Sequence, residues 1–144
     1  MDARAAEALV AVMLRSEGRD SAADLLGPWR GEAAERLLFD ALGLALARQF
    51  HFGDCDFRSA NRLANSHWSL MLDRFMARAN GTSLCLSTTM TAVYECFDAG
   101  EFRHPGDAAD RDPVMAYTKP MIADVLRTRE VAQYRAAATG DASC

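Results

Sequence analysis

Residues 32–50 read EAAERLLFDALGLALARQF. Ala34, Leu37, Leu38, Ala41, Leu42 and Ala45 recur there at i, i+3, i+4, i+7, the spacing that lays apolar side chains along one helical face. Leu44 and Leu46 widen the stripe, which predicts a helix from Glu32 to Phe50 in the middle of a helical protein. Gly43 interrupts an otherwise strong helix former, at a cost of about 1 kcal/mol relative to alanine. Close approach of a neighbouring helix is the expected reason.

Outward from this stretch the pattern repeats. Upstream, a helix from Asp2 to Ser16 places Leu9, Val12 and Met13 on one face with Ala5 a turn earlier. Asp20 or Ser21 can cap a short helix through Leu26, stopped by Gly27-Pro28. Downstream, Gly53-Asp54-Cys55-Asp56 reads as a turn whose Asp56 caps a helix from Phe57 to about Ala79. Its apolar face is Ala60, Ala64, Trp68, Met71 and Phe75, joined by Leu63, Leu70, Leu72 and Met76, and Asn80-Gly81 ends it. Ser83–Ser87 fits extended or helical structure. Thr88–Ala99 follows as a helix with Met90, Val93, Tyr94 and Phe97 inward, Gly100 as its stop and Phe102 folding back on its last turn.

Arg103–Asp112 is polar and turn-rich. Asp112-Pro113 starts another helix, cap followed by N1 proline. Thr118-Lys119-Pro120 repeats that signal, which predicts a break or kink. A last helix covers Pro120 to about Ala137 with Ile122, Val125 and Leu126 inward. β-branched runs and internal repeats are missing. The expectation is an all-α, compact helical bundle of about five to six short-to-medium helices. It forms one domain over residues 1–138, with 139–144 as a frayed tail.

The 144 residues are half hydrophobic and one quarter charged, with a formal charge of −4. A mildly acidic chain repels phosphate backbones, so nucleic acid is not an expected partner. No apolar run approaches the roughly 20 residues needed to span a bilayer, so no membrane is expected either. The N-terminal stretch reads as an amphipathic helix and not as a signal peptide. Cys55, Cys85, Cys96 and Cys144 are widely spaced without a CxxC. The expected setting is the cytoplasm, with reduced thiols. Asn80-Gly81-Thr82 matches a glycosylation sequon, read here as a turn.

Few residues suggest chemistry. His51-Phe52-Gly53-Asp54-Cys55-Asp56 gathers a histidine, a thiol and two carboxylates, but no second ligand group stands at a recognisable distance. It reads as a helix C-terminus and a capping turn, with no metal assigned. Asn61 and Asn65 are poor mid-helix residues. They suggest a polar network tying helices together, with Asp56 or Thr91 as partners. His67 falls near an apolar face and reads as a packed core residue. Nucleophile elbows, phosphate loops and HExxH are absent, so no catalytic residue and no cofactor is assigned.

The remaining feature is an acidic stretch with aromatic residues. Tyr94, Glu101, Phe102, Arg103, Asp107, Asp110, Asp112 and Tyr117 are the candidate partner-binding residues, a mixture that interfaces favour and that solvated bundle rims also carry. The expected function is a small cytosolic protein-interaction module, of the inhibitor, immunity or adaptor type, binding a partner protein of complementary basic character. Two alternatives stand beside it. One is a self-associating structural subunit, a homo-oligomer built on Trp29, Trp68, Phe57 and the methionines. The other is a metal-dependent enzyme using His51, Asp54 and Asp56.

Overall fold

The helix expected from Glu32 spans Glu32–His51 and is numbered α2 here, because Ala3–Arg15 (α1) precedes it. Phe57–Met76 (α3), Thr88–Asp98 (α4) and Lys119–Thr139 (α5) complete an all-α bundle, with five helices and no strand among the described residues. This computed structural model describes residues 2–16, 26–78 and 85–139, with side chains through Arg129. The expected helix from Asp20 or Ser21 therefore lies outside the described residues except for Leu26, which is buried. Asn80-Gly81-Thr82 and Cys144 also lie outside them. No helix among the described residues is long and apolar enough to cross a membrane.

Helix α2 is central: it packs against α1, α3, α4 and α5. From Leu42 to Ala47 every residue is buried, so this segment has no solvent face. Its N-terminal half is rotated away from the expected stripe. Leu37 is 67 % exposed and Ala34 is exposed, whereas Glu35 and Phe39 are fully buried. The face that packs is Glu35, Leu38, Phe39, Leu42 and Leu46. The reason is a cation from α3 that makes the Glu35 carboxylate a core group.

The buried face of α1 is rotated from the expected one, whereas α3 keeps the expected face with His67 rather than Trp68 at its centre. On α1, Ala6, Val10 and Met13 are buried while Ala5 and Val12 are exposed. On α3, Ala60, Leu63, Ala64, His67, Met71 and Phe75 are buried and Met76 is exposed. Hydrophobicity alone could not place the α1 face, because apolar residues lie on more than one side of that helix.

Capping follows local chemistry. The Asp2 carboxylate accepts from Ala5 N–H at 2.8 Å and Asp56 accepts from Ser59 N–H at 2.7 Å. Ser87 caps α4 by accepting from Met90 N–H at 2.9 Å. Asp40, on α2, reaches across to accept from the Ser87 hydroxyl at 2.6 Å and from Thr89 N–H at 3.0 Å. The α2–α4 contact is also where Gly43 sits: a Cβ there would lie 3.2 Å from Met90 Cα. The glycine thus allows two helix backbones to meet.

The signal at Thr118-Lys119-Pro120 resolves without a break. Val114–Thr118 forms one π-helical turn that runs directly into α5, with Lys119 N–H donating to the Val114 carbonyl. Pro120 has no N–H for the Ala116 carbonyl, and its ring would crowd that carbonyl in a regular α-helix. The wider turn just ahead of it relieves the conflict. Ile122 and Leu126 are buried on α5 and Val125 is half-buried.

Gly100, one residue past the C-cap Ala99 of α4, faces the π-helical turn. A Cβ on Gly100 would lie 1.9 Å from Thr118 Oγ1 and 3.1 Å from Phe57 Cε2. Thr118 is fully buried in a helix and cannot withdraw. Gly100→Ala is therefore expected to destabilise the fold by about 1–3 kcal/mol, the range of core overpacking, and adding Thr118→Ala should recover part of it. Urea denaturation checks both; an unchanged midpoint for Gly100→Ala would contradict this packing.

Candidate functional site

The acidic, aromatic stretch starts on α4 and ends in the π-helical turn. Its organising residue is Asp107, whose side chain is only 4 % exposed. One carboxylate oxygen accepts from the Tyr117 hydroxyl at 2.6 Å and meets Arg111 Nη1 at 3.0 Å; the other accepts from His104 N–H at 2.8 Å. The Tyr117 ring lies 4.1 Å from the His104 ring and 5.1 Å from the Arg111 guanidinium. His104 Nε2 is 3.0 Å from the Ala99 carbonyl, and Arg103 donates to the Ala109 carbonyl at 2.6 Å. These bonds tie a loop with little apolar burial into one conformation. The Tyr117 hydroxyl, with help from His104 N–H and Arg111, holds the Asp107 carboxyl below the usual carboxylate range. The same hydrogen bond pushes the Tyr117 hydroxyl up.

The candidate partner-binding residues therefore divide. Asp107 and Tyr117 form the internal cluster, and Tyr94 is half-buried with its ring stacked on Trp68 at 4.9 Å and 11°. Asp112 accepts from Val114 N–H at 2.9 Å and caps the next turn. Glu101 accepts from Asn61 Nδ2 at 2.7 Å. Phe102, expected to fold back on α4, is instead 68 % exposed. Asp110 and Arg103 are exposed as well. The asparagine network exists with different partners from those expected: Asn65 Nδ2 donates to Asn61 and lies 3.5 Å from Glu101, with no bond to Asp56 or Thr91.

Electrostatics at this end of α4 is unfavourable on its own. Glu95 and Asp98 stand in the last turn, no basic residue accompanies them there, and Glu101 follows. Anions beside the carbonyl end of a helix oppose its dipole.

The His51–Asp56 segment behaves as a turn. Asp56 is used as a cap, and His51 packs edge-on against Phe52 at 5.1 Å. Among the described residues no three histidine, cysteine or carboxylate side chains converge to hold a metal. Burial, with Asp56 and Asp54 adding, pushes the Cys55 thiol up to about 11, and burial pushes Cys96 up to about 12. Neither is an activated nucleophile.

Sequence reasoning missed a second polar centre. Glu35 is fully buried and receives Arg74 in bidentate fashion, Nε at 2.8 Å and Nη2 at 2.7 Å. Arg74 Nη1 also donates to the Gly27 carbonyl at 2.9 Å, and Arg30 N–H donates to Glu35 at 3.2 Å. The available signal was a glutamate in step with Leu38, Phe39 and Leu42 on the buried face. Beside this pair lies a cleft of about 350 Å³ lined by Pro28, Trp29, Asp73, Arg74, Ala77 and Arg78.

Comparison of this chain with protein-family models, with curated proteins and with solved structures found no match.

Proposed function

We propose that this chain is a cytoplasmic protein-interaction module that engages a basic partner protein through the surface running from Glu95 to Met115. The observation that carries the reading is Phe102. It projects 68 % exposed from a segment held in place by the Asp107 cluster. An aromatic side chain on a pre-organised loop is a favourable anchor, since little further ordering is needed on binding. Met115, 56 % exposed, lies on the following turn. Glu95, Asp98, Glu101, Asp110 and Asp112 are the exposed carboxylates of the same stretch. A cation brought to the α4 terminus would relieve the opposed dipole and speed encounter.

Affinity capture from the native cell lysate at low and high ionic strength tests the reading. A single retained protein, released by salt, is expected. It should be lost from the Asp98→Lys/Asp110→Lys variant and from Phe102→Ser. These positions avoid the Asp107 cluster, so the fold should be kept. Retention that ignores both variants, or no retained partner, overturns the proposal. Retention of the chain's own copies, with a concentration-dependent mass in sedimentation, would favour the self-associating subunit instead.

A further inference from the structure

We infer that the cleft beside Glu35 and Arg74 is a binding site for a small carboxylate ligand with an apolar body. The inference starts from Arg74. A guanidinium has five N–H donors. Three of its groups are engaged internally, two on Glu35 and one on the Gly27 carbonyl. The remaining N–H groups are on Nη1 and Nη2, and Arg74 lines the cleft. Its side chain is 14 % exposed and the Glu35 side chain is inaccessible, so this donor pair is held in a fixed orientation. Glu35 is a positioning residue in this arrangement.

The other walls define the ligand. Arg78 lies over the Trp29 ring at 5.7 Å, and the Trp29 and Phe75 rings meet edge-to-face at 5.2 Å. A second guanidinium is thus laid along an aromatic plate at the cleft. Guanidinium donors of this kind match the geometry of a carboxylate. Trp29, Pro28 and Ala77 supply the surface for an apolar group. Glu35 neutralises Arg74 and the Asp73 carboxylate, also on the wall, offsets Arg78, so the four charges sum to zero. Guanidinium donors without net positive charge suit a single carboxylate and disfavour a multiply charged phosphate. A ligand that also carries an ammonium group would place it against Asp73, which makes no side-chain ion pair among the described residues.

The test uses the full chain with Trp68→Phe, which leaves Trp29 as the sole tryptophan reporter. Four probes are titrated: benzoate, L-phenylalanine, benzyl alcohol and inorganic phosphate. A saturable change in Trp29 fluorescence with benzoate or L-phenylalanine is expected. Phenylalanine binding more tightly than benzoate would identify the zwitterionic form as the ligand, and the reverse order a simple carboxylate. Arg78→Gln should weaken binding by about tenfold, the loss of one charge-assisted contact, while Arg78→Lys should restore part of it. Arg78 is exposed, so these variants should fold. No saturable change with either carboxylate overturns the site. So does equal binding of benzyl alcohol, a response to phosphate alone, or affinity indifferent to Arg78→Gln.

Discussion

Replacing Glu35 by alanine is expected to remove about 3–5 kcal/mol of folding stability, the usual consequence of leaving one member of a buried ion pair without its partner. Glu35 is fully buried, and its two oxygens take both arms of the Arg74 fork. The same carboxylate accepts from Arg30 N–H, and Arg74 holds the Gly27 carbonyl. Removing the acid leaves the largely buried Arg74 guanidinium without its countercharge and with the Gly27 carbonyl as its remaining acceptor, and it frees the 26–31 connection from α2. Glu35→Gln should fall between wild type and Glu35→Ala, because the amide keeps an acceptor and loses the charge. The double variant Glu35→Leu/Arg74→Met removes both charges together. It should be far less damaged than either single change, since desolvation cost and ionic attraction vanish as a pair. Chemical denaturation of the wild type, Glu35→Leu, Arg74→Met and the double variant, read as a double-mutant cycle, measures the coupling directly. Additive single effects would contradict the pairing of these residues.

Acidification is expected to weaken the protein in a window that belongs to one histidine. His67 is fully buried between α3 and α1, with Nε2 3.1 Å from Met13 Sδ and no partner for Nδ1. Burial pulls its pKa down to about 4. In the unfolded chain the imidazole returns to about 6.5. Above that pH neither state binds the proton and the full stability is present. As pH falls from 6.5 towards 4 the unfolded chain takes up a proton that the folded one refuses, so stability is lost through this interval. The expected loss between pH 7 and pH 5 is about 2 kcal/mol, approaching about 3 kcal/mol near pH 4. Asp56 and Asp107 are held below the usual carboxylate range. Their contributions are present above the ordinary carboxylate pKa of about 4 and fade only below it. The two effects are therefore separable. His67→Leu should flatten the stability curve between pH 6.5 and 5, as followed by denaturation midpoints. A wild-type slope that persists in this variant would assign the window to another group.

Local patterns carried the architecture far. The periodicity of residues 32–50 contained the all-α class and the central helix. Asp56 and Pro113 marked helix starts that the structure keeps, and Gly43 stood where α4 crosses α2. These features depend on neighbours within one or two turns, which any reading of spacing can reach. The candidate surface was legible only in outline. Its acidic, aromatic composition was visible, but the division of labour inside it was not. Asp107 and Tyr117 are drawn inward by each other, Glu101 is held by Asn61 across 40 positions, and Phe102 stays out.

What this chain settles through its residues alone is where helices run and where they stop, because capping, proline geometry and helical period are short-range effects. Which side of α1 and of the first half of α2 faces inward belonged to the tertiary structure. Glu35 lies in the core and Leu37 in solvent because Arg74, 39 residues away, supplies the countercharge. A buried charge is tolerable only with its partner in place, and no local pattern contains that partner.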